Sequence, residues 1–204
     1  MVDDFTGVKI KGGMDITVTQ GPEHSVKIEG DENLLKYIDV VRHGNMVEVS
    51  TKEGINIDPR AGLRIYVTAP VFEQLQIAGS GDMKSQNTLT SNGTIEAGIT
   101  GSGDMDLKVD APMVITHISG NGDIVMNGTT RHFQTRISGS GDVKCYGLLS
   151  ETTDVDIAGS GDVQVSASKQ LNVDIKGSGD VRYKGSPAIS QSIKGSGSIT
   201  KTEP

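Results

Sequence analysis

From Leu75 to the C-terminus the chain alternates apolar and polar residues, with a pause at intervals of 18 to 22 positions. Within one unit Phe133, Thr135, Ile137, Gly139, Gly141, Val143 and Cys145 share one parity. In another, Leu171, Val173, Ile175, Gly177, Gly179, Val181 and Tyr183 do. Residues of one parity face one way in an extended chain. Each unit therefore predicts a strand ending in isoleucine, a tight glycine bend, and a second strand that opens on a hydrophobic residue.

The pause is a motif, Ile-x-Gly-(Ser/Asn)-Gly, beginning at Ile77, Ile99, Ile118, Ile137, Ile157, Ile175 and Ile193. Six of the seven copies continue with Asp and a hydrophobic residue; the last has Ser198 instead, as an end coil would. The spacings of 22, 19, 19, 20, 18 and 18 residues suit one coil of a parallel β-solenoid and are too short for a paired-helix repeat or a propeller blade. The expected fold class is all-β: a parallel β-solenoid, or β-helix, of about seven coils over residues 71–204. Stacked coils would pair their backbones and lay isoleucine on isoleucine about 4.8 Å apart.

Residues 1–70 predict a β-rich capping region with one short helix. Val8 and Ile10, Ile16 and Val18, Val26 and Ile28, Val47 and Val49, and Leu63, Ile65 and Val67 alternate as short strands. Gly12-Gly13, Gly21-Pro22 and Gly44-Asn45 supply turn signals between them. Leu34, Leu35 and Ile38, behind the acidic start Asp31-Glu32, suit a helix of two turns at most.

Glycine holds both bend positions in every copy: Gly79 and Gly81, Gly101 and Gly103, Gly120 and Gly122, Gly139 and Gly141, Gly159 and Gly161, Gly177 and Gly179, Gly195 and Gly197. These are structural turns, where backbone packs on backbone and positive φ and close approach exclude a Cβ. After them come Asp82, Asp104, Asp123, Asp142, Asp162 and Asp180, of opposite parity to the core. Stacked in register, such carboxylates repel by on the order of 1 kcal/mol per neighbouring pair in water. One offset is an Asx-type turn, in which each carboxylate accepts N–H groups of its own bend. The other is a Ca²⁺ ladder, against which the spacing argues, because the calcium-binding β-roll repeats every nine residues and places its Asp differently.

No other chemistry emerges. None of the bends continues to a third glycine or a phosphate-loop Lys, so no nucleotide cofactor is expected. His24, His43, His117 and His132 lack ligand spacing, and Cys145 has core parity, which predicts a buried small hydrophobe. Asn92-Gly93-Thr94 and Asn127-Gly128-Thr129 read first as turns. The net charge of -7 is spread evenly, with 12 acids and 8 bases in residues 1–76, and there is no Trp, which together argue against a nucleic-acid partner. No stretch reaches the roughly 18 apolar residues of a membrane span, and the start MVDDFTGVKI lacks the features of a secretory signal.

The runs Leu75 to Asp82 (LQIAGSGD), Val181 to Pro187 (VRYKGSP) and Asn33 to Ile38 (NLLKYI), with the repeated Ile-x-Gly-Ser-Gly-Asp-Val, resemble the head GIN domain family over nearly the whole chain. Its members are described as putative autotransporter adhesins and are common in Bacteroidetes. The resemblance implies a β-solenoid in an exported cell-envelope protein, a cell-surface glycan or protein as partner, and no catalytic residues to carry over.

Three functions follow for comparison. The first is a non-catalytic binding or adhesion module, the second a structural envelope protein, and the third a polysaccharide-degrading β-helix enzyme using paired carboxylates. Catalytic carboxylates form a unique cluster, whereas these recur in every coil, which favours the module. The pattern is compatible with oligomers.

Overall fold

The computed structural model describes residues 4–52, 54–55 and 63–203. The chain forms β1 (Gly7–Gly12), β2 (Asp15–Gln20), β3 (Ser25–Glu29), helix α1 (Glu32–Leu35), β4 (Ile38–His43), β5 (Met46–Thr51), β6 (Arg64–Ala69), β7 (Gln74–Gly79), β8 (Met83–Ser85) and β9 (Leu89–Thr90). It continues through β10 (Thr94–Gly101), β11 (Met105–Gly120), β12 (Ile124–Gly139), β13 (Val143–Gly159), β14 (Val163–Gly177), β15 (Val181–Lys184), β16 (Ala188–Gly195) and β17 (Ile199–Lys201). The result is a parallel β-solenoid of about seven turns.

Strands β11 to β14 each run almost a full coil, interrupted only at the Gly-(Ser/Asn)-Gly-Asp corner. Consecutive coils pair in parallel, and the register places Ile77, Ile99, Ile118, Ile137, Ile157, Ile175 and Ile193 in one row. All but Ile193 are buried. Each isoleucine fills the interior between its neighbours, and this row, with Val143, Val163 and Val181 on the far side of the corner, forms part of one continuous core. Differences in coil length are absorbed away from the corner. Opposite β14, strand β13 inserts Tyr146, Gly147 and Leu148 between Cys145 and Leu149, and a second shift between Ser150 and Thr152 sets the register that holds to the next corner.

The N-terminal strands join the same stack out of chain order. β1 pairs in parallel with β7 on one side and with β5 on the other, while β2 pairs with β8 and β6. The layer built from β1 and β2 thus lies inside the layer built from β5 and β6. β3 runs antiparallel on β6 and β4 antiparallel on β5, closing that end of the solenoid. Such a closure shields the ladder edge that an open stack would expose. β4 goes beyond the strands read from the sequence, because adjacent Val40 and Val41 spoil the alternation that signals a strand. The helix is shorter than the two-turn limit: α1 is one turn, and Asp31 at its N-cap makes no side-chain capping bond.

Candidate functional site

The corners stack as regularly as the isoleucines. At the first glycine of each bend φ lies between +133° at Gly101 and +149° at Gly159, a region L-residues avoid. The second glycine does not take positive φ, which corrects the expectation that both bend positions need it. It is required for a different reason: a Cβ on Gly141 would collide with the carbonyl oxygen of Gly122 one coil earlier, and Gly81, Gly103, Gly122, Gly161, Gly179 and Gly197 are equally confined. The first position suffers both constraints, since a Cβ on Gly139 would meet the Gly120 carbonyl.

The aspartates form a ladder between coils, and the Asx-turn expectation is corrected. Each carboxylate Oδ1 accepts the backbone N–H of the aspartate one coil further on: Asp82 from Asp104 at 3.1 Å, Asp104 from Asp123 at 2.9 Å, Asp123 from Asp142 at 3.0 Å, Asp142 from Asp162 at 2.9 Å and Asp162 from Asp180 at 2.9 Å. Asp180 ends the row by accepting from both the N–H and the hydroxyl of Ser198, at 2.9 and 2.8 Å. The bend's own N–H groups are taken elsewhere: Ser102 donates to the Gly79 carbonyl at 2.9 Å and Gly103 to the same oxygen at 3.2 Å. The carboxylate is thereby left to continue the ladder across the corner.

The row starts one coil before the repeat is visible in sequence. Asp15 accepts the Asp82 N–H at 3.3 Å, and Gly12 lies under Gly79 in the β1–β7 register. The stretch Ile10-Lys11-Gly12-Gly13-Met14-Asp15-Ile16 is a degenerate copy, hidden because Met14 replaces the second glycine. Its signal is the spacing of isoleucine, first glycine and aspartate, which is preserved.

Charge divides the ladder into two halves. Lys144 Nζ lies 2.6 Å from Asp123 Oδ2 and 3.6 Å from Asp142 Oδ2, and Arg182 reaches Asp162 at 3.4 Å and Asp180 at 3.9 Å. Each cation stands two residues past its corner aspartate and bridges two coils. The Asp123 carboxylate in turn holds the Lys144 ammonium above its usual range, chiefly by their hydrogen bond. Asp180 is held below the usual carboxylate range by the Ser198 hydroxyl first, then by the Ser198 N–H.

In the other half Asp15, Asp82 and Asp104 have no basic partner among the described residues, and Asp106 adds a further exposed carboxylate. Partial burial, and then the like charges of Asp15 and Asp104, push the Asp82 carboxyl up despite the N–H bond from Asp104. A cleft of about 740 Å³ opens beside this half, lined by Asp15, Asp82, Asp104 and Asp106, the cations Arg64 and Lys84, and Tyr66 among others. Tyr66 comes from β6, and nothing local in the sequence brings it to the aspartates, whereas Lys84 of β8 stands two residues past Asp82.

Among the described residues no three His, Cys, Asp or Glu side chains are grouped to hold a metal ion. His132 Nε2 contacts Asp154 at 2.9 Å and His24 Nε2 contacts the Phe5 carbonyl at 3.1 Å, in separate places. Cys145 is buried against the core, and burial pushes its thiol up to about 12. No described helix is long and apolar enough to cross a membrane.

A crystallised protein from Bacteroides fragilis, described as a putative adhesin, superposes with a TM-score of 0.91 at 26% identity, over 98% of this chain and 94% of that one. One from Parabacteroides distasonis, described as a putative lipid binding protein, gives 0.79 at 24% identity over 100% and 94%. A putative adhesin from Parabacteroides merdae gives 0.74 at 22% identity over 99% and 93%. The last two likenesses speak to the fold alone. No curated protein matches the chain. The family model described as "Putative auto-transporter adhesin, head GIN domain" matches residues 4–187, nine-tenths of the chain, and the chain belongs to that family.

Proposed function

We propose that the chain is a non-catalytic adhesion module, working outside the cytoplasm, whose acidic cleft grips a cell-surface protein or glycan that presents positive charge. The observation that carries this reading is the asymmetry of the ladder: Lys144 and Arg182 bridge carboxylates of its C-terminal half, while Asp15, Asp82 and Asp104 form no ion pair among the described residues, and carboxylates outnumber the two cations of the cleft, Arg64 and Lys84. Unneutralised carboxylates on a shallow surface attract a cationic partner and speed its encounter. Tyr66 offers an amphipathic ring beside them, the kind of side chain that anchors interfaces.

The row itself supports a non-catalytic role. Every carboxylate in it has one oxygen committed to a backbone N–H in the same geometry, so the aspartates read as scaffold with free outer oxygens. The carboxylates of the cleft favour a partner that carries positive charge. Binding to arrays of basic peptides and of neutral and amino-sugar glycans tests the reading. Binding should occur, weaken with salt, and disappear in an Asp82→Asn, Asp104→Asn double variant that keeps its melting temperature. Undiminished binding by that variant would reject the cleft, and release of reducing sugar from a polysaccharide panel would reject the non-catalytic role.

A further inference from the structure

The two ends of the solenoid are built differently. At the N-terminal end antiparallel β3 and β4 cover the last parallel layer. At the other end β16 is laddered to β14 on one edge, and its second edge has no strand partner among the described residues. Ile189 and Ile193 stack on Leu171 and Ile175, with the parity of the core, yet are 42% and 37% exposed. Their upper surfaces are where the next coil would sit.

Over Ile189, Ser190, Gln191, Ser192 and Ile193 the edge strand reads the same in both directions. We propose that this edge pairs with itself in a second copy of the chain, β16 against β16 in antiparallel register about a two-fold axis through Gln191. In that register Ile189 faces the partner's Ile193, Ser190 faces the partner's Ser192, and the two Gln191 side chains meet at the axis. An isologous interface requires this kind of self-complementarity, in which each residue and its counterpart exchange roles across the axis. Antiparallel pairing satisfies the free N–H and C=O groups of the edge, and the isoleucines carry the core across the junction. Head-to-tail stacking is disfavoured because the N-terminal end is already closed. The pair would be a rod of twice the length with its two acidic clefts far apart, suited to bivalent attachment. The self-pairing stands independently of what the clefts bind.

The test is the mass of the 204-residue chain in solution, by light scattering and sedimentation across a dilution series. The expected species at high concentration is about 43 kDa, twice the 21.5 kDa chain. Gln191→Cys reports the register. Directly opposed residues of an antiparallel pair have Cα atoms roughly 4.5–5.5 Å apart, within the roughly 4.4–6.8 Å span of a disulfide. Under oxidation this variant should convert mostly to a cross-linked dimer while Ser190→Cys, off the axis, stays mostly uncoupled. Ile189→Lys should be monomeric. A chain that is monomeric throughout with no Gln191→Cys cross-link overturns the proposal. So does a dimer that survives Ile189→Lys without cross-linking, or an edge that captures a foreign strand peptide in preference to its own copy.

Discussion

The Asp82 carboxylate accepts the backbone N–H of Asp104, one coil further along, at 3.1 Å. That bond makes a side chain serve the Asp104 N–H in place of a ladder carbonyl, the Gly79 carbonyl of the corner being taken by Ser102 and Gly103. It also fixes the spacing of like charges, so the same contact satisfies a donor and imposes repulsion.

At Asp142 the two roles separate by substitution. Asp142→Asn keeps an oxygen for the Asp162 N–H, so chemical denaturation should show a change below about 1 kcal/mol. Asp142→Ala orphans that N–H and should cost about 1–3 kcal/mol. Equal losses in the two variants would show that the ladder bond contributes nothing.

Asp82 carries a pH signature. Its carboxyl is raised above the ordinary aspartate range in the folded chain, chiefly by partial burial, so folding favours its protonated form. The resulting destabilisation is absent below the unfolded pKa, grows as pH rises towards the folded pKa, and is full above it. Asp82→Asn should therefore stabilise at pH 7, by under about 1 kcal/mol for a surface charge. The gain should vanish in urea titrations below the unfolded pKa. A gain that persists in acid would assign it to something other than charge.

The glycines should rank by what surrounds them. Gly141→Ala places a methyl against the Gly122 carbonyl although its backbone is ordinary, and should cost about 3 kcal/mol or more. Gly44→Ala, at φ +64° in the β4–β5 turn with nothing within 4 Å, should cost about 1–2 kcal/mol. Thermal melts that reverse this order would refute the close-approach argument.

Ile137 is fully buried between Ile118 and Ile157, so Ile137→Ala should lose about 2–5 kcal/mol as a core truncation. Ile193→Ala, in the terminal coil, should lose much less in a dilute monomeric sample. Similar losses at both sites would mean that the row is not a graded core.

Cys145 should be inert in the folded state, since the nucleophile is the thiolate and burial pushes its pKa up to about 12. A coloured disulfide reagent at pH 8 should detect no thiol until denaturant is added, then one per chain. Rapid reaction without denaturant would place the residue outside the core.

What the sequence determined is the coil: its length, its isoleucine row, its glycine corners, and the outward side of Asp82, Asp104, Asp123, Asp142, Asp162 and Asp180. These follow from parity and from steric demands within a few residues, which repetition writes seven times over. Tertiary structure decided where the bonds run. The Asx-turn expectation fails at the corner because Gly79 O already holds the N–H groups of Ser102 and Gly103, a relationship between coils that local spacing does not encode. The entry of β1 and β2 as an inner layer, with Asp15 and Asp82 67 residues apart in the chain yet hydrogen-bonded, is likewise a product of long-range pairing. So is the division of the ladder into neutralised and bare halves. Lys144 spans two coils whereas Lys84, at the equivalent place, makes no ion pair among the described residues, and that difference depends on the packing around each lysine.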